Sequence, residues 1–193
     1  MTKKELIQSV KEKLDSGKTK QQAFDEIASL KQNRKHEIAI AIRDYPTLQS
    51  RKKYLKINNL IIILLSISAL LISVIPYFLF KNKTTNDIAG DVLIVLIYIL
   101  LIYGIKICNK VAISGALFIS FVAIFNSFSK IFDEKTDINQ IIYLSIIIVI
   151  SISIMVLCSY LYPKYFSGYN IKQRKDFDKD GESYIVEEYC FTN

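Results

Sequence analysis

The amino-acid sequence predicts an all-α membrane protein, in which a bundle of four transmembrane helices lies between a small three-helix head and a short tail. The first observation is that residues 60–80 carry no charge. A helix of ~21 residues is about 30 Å long, which matches the hydrocarbon core of a bilayer. The second is that three more apolar stretches follow, and the third is that Lys and Arg are concentrated before the first of them.

The head is predicted to occupy residues 1–46. Thr2 and Glu5 have the spacing of a capping box, as do Thr19 and Gln22, so each pair predicts the start of a helix. A third helix is expected over residues 34–43, ahead of Pro46. Each segment carries apolar residues at helical spacing but is too short to be stable alone, so the three are expected to form a small bundle.

A juxtamembrane segment, residues 47–59, is predicted to continue as a helix into the first span without a break. Its cationic side chains lie just before the apolar run and are expected at the membrane surface, where long stems let the charges reach the headgroups: Arg51, Lys52, Lys53 and Lys56. The four spans are predicted at about 60–80, 92–107, 111–128 and 141–161, within a membrane domain over 60–162. Residues 163–193 form the tail.

The distribution of charge predicts the orientation. Residues 1–56 contain 14 Lys and Arg against 7 Asp and Glu. With the head inside, only four of the 25 Lys and Arg fall in outer loops, so both termini are expected in the cytosol. The basic head then faces anionic lipid, and we expect the bilayer rather than nucleic acid as its partner. Abundant Ile, Lys and Asn without Trp indicates an AT-rich bacterial genome, hence a bacterial inner membrane.

Two faces are predicted on the third span. One carries aromatic residues at 3-4-3 spacing, which predicts a seam for a partner protein or a second copy: Phe118, Phe121, Phe125 and Phe128. The other carries small residues, which allow close helix packing in lipid: Ala116, Ser120, Ala123 and Ser127. The first span has a similar small stripe of Ser66, Ala69 and Ser73, so the first and third spans are expected to pair. Asn126 is expected to form an interhelical hydrogen bond.

The sequence offers little for catalysis or transport. Apart from Lys106, at the end of the second span, the four predicted spans contain no Asp, Glu, Lys, Arg or His, which argues against a proton-coupled transporter. Residues 16–19 resemble the end of a phosphate loop, but Glu12 stands where that motif needs glycine. Cys108, Cys158 and Cys190 have no paired spacing, which excludes the usual zinc patterns. We therefore predict a protein that is not an enzyme and has no cofactor.

The tail has two interpretations. Its carboxylates match the spacing of an EF-hand calcium loop: Asp176, Asp178, Asp180 and Glu187. The alternative is a β-hairpin in which residues 178–181 form the turn. The chain continues only six residues after Glu187, which leaves no exiting helix, so the hairpin is favoured.

Three functions follow. The favoured one is a non-enzymatic interaction protein of the membrane, such as an immunity or regulatory factor against a membrane-acting toxin. The first alternative is a pore-forming or membrane-permeabilising effector of a bacterial defence system, lined by Ser and Asn side chains. The second is a membrane-anchored regulator with a DNA-binding head, since residues 15–30 resemble part of a helix-turn-helix.

Overall fold

The chain is mostly helical and carries one small sheet. The computed structural model describes residues 2–30, 34–73, 85–132, 136–166, 168–177 and 183–191. The described helices are α1 Lys3–Asp15, α2 Lys20–Leu30, α3 Lys35–Arg43, α4 Leu48–Lys53, α5 Leu55–Ser73, α6 Thr85–Lys106, α7 Lys110–Ile131 and α8 Ile138–Tyr165, and the strands are β1 Tyr169–Phe177 and β2 Ser183–Phe191.

Three of these helices, α5, α7 and α8, are long and apolar enough to cross a membrane. They correspond to the first, third and fourth predicted spans, although residues 74–80 of the first lie outside the described part of the chain. The second predicted span corresponds to a shorter apolar run within α6, Val92–Lys106. At about 1.5 Å per residue this run is about 22 Å long, which is shorter than a typical hydrocarbon core.

The chain divides into two compact units. The first, which we call the terminal unit, comprises Met1–Lys53 and Pro163–Asn193. The second, the helix unit, comprises Tyr54–Tyr162. The tail therefore belongs with the head, which the sequence did not indicate.

The first three helices begin and end at signals visible in the sequence. Thr2 and Glu5 form the capping box of α1, and Thr19 and Gln22 exchange the same pair of hydrogen bonds before α2. Between them, Gly17 has a φ of 92° and lies in the αL position of a Schellman motif. The stretch that resembles a phosphate loop is therefore the junction of a helix end and a helix start.

The core of the terminal unit contains one stripe from each of the three helices and aromatic residues from the sheet. The helices bury Leu6, Val10 and Leu14 from α1, Ala23, Phe24, Ile27 and Ala28 from α2, and Ile38, Ala39 and Ile42 from α3. Tyr189 of β2 is only 4% exposed and its ring lies 5.2 Å from that of Phe24. Tyr169 and Phe191 pack against the same cluster. These aromatic side chains fix the sheet onto α2.

The chain is mostly helical rather than all-α, because β1 and β2 of the tail form an antiparallel pair of nine-residue strands. The hairpin interpretation is the one that matches this sheet, although its predicted turn, residues 178–181, lies outside the described residues. A second difference is a one-residue interruption at Tyr54, which separates α4 from α5 where the sequence predicts a continuous helix.

Each helix of the helix unit buries one narrow stripe at 3-4 spacing, which is the pattern of helices that pack almost parallel. The buried residues are Asn58, Ile61, Leu65 and Ser68 in α5, Tyr98, Leu101 and Ile105 in α6, Ala112, Ile113, Ala116, Ser120 and Ser127 in α7, and Leu144, Ile147, Ser151, Ile154, Cys158 and Leu161 in the part of α8 that belongs to this unit. The opposite faces are exposed Leu, Ile, Val and Phe, as expected for helices surrounded by lipid.

Neighbouring helices in the chain are the ones that pack most closely. Among the described residues, α5 packs on α6 and α6 packs on α7. In addition, the Tyr143 hydroxyl of α8 donates a hydrogen bond to the Leu71 carbonyl of α5. The structure therefore differs from the predicted pairing of the first and third spans.

Glycine explains the close contact of α6 with α7. A Cβ on Gly104 would lie 2.4 Å from the Cβ of Ala112, and a Cβ on Gly115 would lie 2.9 Å from Cδ2 of Leu101. The connection between the helices is a second Schellman motif, in which Cys108 occupies the αL position with a φ of 55°. Close approach at this tight turn determines which helices pair.

Candidate interaction surfaces

The phenylalanines of α7 form an outward surface, which we call the Phe face. Its members are between 57% and 71% exposed: Phe118, Phe121, Phe125, Phe128 and Phe132. The rings of Phe128 and Phe132 lie edge to face with centroids 4.9 Å apart. The outward faces of α5, α6 and α8 consist mostly of Leu, Ile and Val among the described residues. The Phe face therefore differs in composition from the rest of the exposed helix surface.

The small residues of α7 lie on its inner side. Ala116 is fully buried, while Ser120 and Ser127 are 3% and 5% exposed; Ala123 is half-buried. Asn126, for which we expected an interhelical hydrogen bond, is exposed on the outer side instead. The position of Asn126, one residue before Ser127, turns it away from the buried stripe.

The stripe of small residues predicted on α5 is not the stripe that this helix buries. Ser66, Ala69 and Ser73 are half-buried, and the hydroxyls of Ser66 and Ser73 donate to carbonyls of their own helix. The polar residue that sequence analysis missed is Asn58, which is 3% exposed and donates from Nδ2 to the Ile105 carbonyl at 3.1 Å. A carboxamide among apolar residues near the start of an apolar run was the available signal.

The cations expected at the membrane surface differ in environment. Lys52, Lys53 and Lys56 are exposed. Arg51 instead forms an ion pair with Asp15, and its guanidinium lies 5.4 Å from the ring centroid of Tyr45. Arg51 therefore contributes to the terminal unit itself.

The two described carboxylates of the predicted calcium loop do not converge. Asp176 pairs with Tyr184 across the sheet, whereas Glu187 pairs with Gln173. Cross-strand partners share a face and successive residues alternate, so the two carboxylates project from opposite faces. They cannot be the first and last ligands of one EF-hand loop. Asp178 and Asp180 lie outside the described residues, within which no cluster of three potential metal ligands occurs.

Two charged sites in the terminal unit hold elements together. Lys20 is 5% exposed, and its Nζ donates to the carbonyls of Arg43 and Tyr165, both at 3.2 Å. Glu26 of α2 forms ion pairs with Lys13 of α1 and with Lys18. Hydrogen bonds from these lysines lower the pKa of Glu26, and the same carboxylate raises the pKa of Lys13.

Tyr189 links the aromatic core to the charged outer part of the sheet. Its hydroxyl donates to Glu187 at 3.2 Å. Burial, followed by the hydrogen bond to Glu187, raises the pKa of Tyr189 because both disfavour the phenolate. Tyr189 therefore stays a neutral hydrogen-bond donor.

No protein-family model, curated protein or solved structure matches the chain.

Proposed function

We propose that this chain is a non-enzymatic multi-pass protein of a bacterial inner membrane that acts by contacting another protein within the membrane. The observation that carries the proposal is the Phe face of α7, which stays exposed while the small face of the same helix is buried. Aromatic residues contribute large contact areas at interfaces, and aliphatic side chains alone suffice for contact with lipid. An immunity or regulatory factor against a membrane-acting toxin would use such a surface.

The distribution of charge supports an orientation with both termini in the cytosol and four spans. Lys and Arg are most frequent before α5, and this bias retains a segment on the cytosolic side. The short apolar run of α6 is the second span in this arrangement. Local thinning of the bilayer, or extension of the Lys106 side chain to the headgroups, compensates for its short length.

The experiment that tests the proposal is co-isolation of the full chain from native membranes in a neutral detergent. Phe118→Leu, Phe121→Leu and Phe125→Leu are combined in one variant, which keeps the face apolar but removes its rings. The control combines Val149→Leu, Ile152→Leu and Val156→Leu on α8, where the side chains are 63%, 44% and 61% exposed. A partner that is lost with the first variant and kept with the second supports the proposal. A partner equally retained by both, or none with the unaltered chain, contradicts it.

A pore-forming effector is the alternative that the same helices raise. Ser120 and Ser127, its predicted lining, are buried within the single chain, so an oligomeric pore would require α7 to rotate out of the bundle. Expression of the full chain is therefore expected to leave the membrane potential of the host unchanged, as measured with a potential-sensitive dye. Depolarisation that disappears with Ser120→Leu and Ser127→Leu would favour the pore.

The DNA-binding alternative receives no specific support from the geometry. Several cations of the terminal unit form ion pairs within it, among them Lys13 and Lys18 with Glu26 and Arg51 with Asp15. These ion pairs reduce the charge that the head can offer to phosphates.

A further inference from the structure

The sheet of the terminal unit has an open edge beside α2. In the described part of the chain the sheet contains only β1 and β2, so the second side of β2 has no strand paired to it. Tyr189 and Phe191 direct their peptide groups toward α2. Because peptide directions alternate along a strand, Ile185 and Glu187 also direct theirs away from β1. Among the described residues, no hydrogen bond is recorded to these outward groups of Ile185 and Glu187.

Gln21 shows how this edge accepts a partner. Its carboxamide nitrogen donates to the Tyr189 carbonyl at 3.2 Å, and its carboxamide oxygen accepts from the Phe191 N–H at 3.1 Å. A strand paired to β2 would likewise donate to the carbonyl of one residue and accept from the N–H of the residue two positions later. The side chain of Gln21 thus occupies one end of the edge, and within the described ranges no other group pairs with the end toward Ile185.

A groove of about 670 Å³ lies between the sheet and α2, and residues 186–190 of β2 line it together with residues of α2, Lys35 of α3, and Arg174 and Asp176 of β1. This volume is in the range of pockets that hold ligands. Its lining includes four carboxylates against two cations, namely Asp25, Asp176, Glu187 and Glu188 against Lys35 and Arg174. An excess of negative charge is unusual here, because the chain as a whole has a net charge of +7.

We propose that this groove binds an extended, basic peptide segment of a partner protein, which adds to β2 as a third strand. The outward peptide groups of β2 supply main-chain hydrogen bonds, as in other cases of strand addition. Glu187 and Glu188 project from opposite faces of β2, so carboxylates are available to alternate side chains of the added strand. Lys or Arg at alternate positions of the segment therefore meets a carboxylate whichever face of the added strand carries them. This site is separate from the Phe face and goes beyond the function proposed above.

The test measures fluorescence anisotropy of a labelled octapeptide of alternating Lys and Val with the full chain in a neutral detergent. Its matched probes are the Glu-Val peptide and a Lys-Val peptide that is N-methylated at every residue, which removes the main-chain donors of both edges. We expect binding of the Lys-Val peptide that weakens with salt and falls at least about tenfold on N-methylation, because strand addition needs main-chain donors. Equal binding of the N-methylated peptide, or no binding of the Lys-Val peptide at low salt, overturns the proposal.

Two proline variants locate the binding edge. Ile185→Pro removes an outward N–H of β2, whereas Gln173→Pro removes the corresponding outward N–H on the far edge of β1, and edge positions tolerate proline. We expect Ile185→Pro to weaken binding at least about tenfold and Gln173→Pro to leave it within about twofold. Glu187→Gln with Glu188→Gln is also expected to weaken binding about tenfold, while Glu12→Gln on the exposed face of α1 has no effect. Equal effects of the two proline variants overturn the proposal, as does self-association through β2 without peptide binding.

Discussion

Lys20 is the residue on which the terminal unit depends most directly. Its buried ammonium donates to the carbonyls of the last residues of α3 and α8, Arg43 and Tyr165, and hydrogen bonds from side chains are one way in which proteins satisfy the last carbonyls of a helix. A cation at two helix C-termini is also favoured by the helix dipoles. A single side chain thus connects the head to the segment that returns from the helix unit.

Replacement of Lys20 by Met keeps the aliphatic stem and removes the donor. We expect the terminal unit to lose about 1.5–3 kcal/mol of stability, because hydrogen bonds that involve a charged group contribute about that much and two buried carbonyls lose their donor. Hydrogen exchange of the α2 and α3 amides measures this loss. Lys4→Met on the exposed face of α1 is the control. Unchanged protection in the Lys20 variant would contradict the role given to Lys20.

The ion pairs of Glu26 give the terminal unit a dependence on pH. Because the pKa of Glu26 is lowered from its ordinary value of 4.5, its stabilising contribution is complete above pH 4.5 and is lost as the pH falls through the lowered value. The protection factors of the α1 and α2 amides, which are corrected for the intrinsic exchange rate at each pH, should therefore fall on acidification below that pH. Glu26→Gln should flatten this part of the profile, and an unaltered profile would show that the pairs contribute nothing.

At the scale of elements, hydrophobic periodicity predicted most of the helices but did not predict which helices pack against each other. The small face of α7 is recognisable from sequence because four small residues repeat at 3-4 spacing. The buried stripe of α8 is not, because Leu144, Ser151 and Cys158 lie in a helix that is apolar on all sides. When every face is hydrophobic, periodicity carries no information on which face is buried.

The packing of α6 on α7 depends on Gly104. A Cβ at this position meets the Ala112 side chain, which cannot move aside because its Cβ is fixed to the backbone, so Gly104→Ala is expected to destabilise the helix unit by about 1–3 kcal/mol. Gly115→Ala is the matched variant, since its Cβ meets only the flexible end of Leu101. Unfolding in mixed micelles of increasing denaturing detergent compares the two. Equal stability of both variants would show that α6 and α7 are not held at this contact.

The β-hairpin shows what sequence can and cannot provide for the candidate sites. The alternation of Tyr169, Ile171, Tyr189 and Phe191 belongs to a strand pattern, but the contacts of Tyr189 and Phe191 with Phe24 join residues more than 160 positions apart in the chain. The open edge and the carboxylate groove arise from that contact. They were therefore not predictable from local patterns.

For the whole molecule, the composition predicted a membrane protein, whereas only the tertiary structure revealed that the chain divides into two units. The uncharged stretches made α5, α7 and α8 recognisable. That Pro163–Asn193 joins Met1–Lys53 in one compact unit follows from tertiary contacts alone. The two units offer surfaces of different kinds, an aromatic face on α7 and a carboxylate-lined groove along β2, so we expect the chain to bind through both.

The most direct test of contact within the membrane is site-specific photocrosslinking in native membranes. A benzophenone amino acid replaces either Phe121 on α7 or Val149 on α8, which are 58% and 63% exposed. We predict protein adducts at position 121, with another protein or a second copy of the chain, that Phe118→Leu with Phe125→Leu reduces, and lipid adducts alone at position 149. Lipid adducts alone at both positions, or the same protein adducts at both, would contradict an interaction through the Phe face.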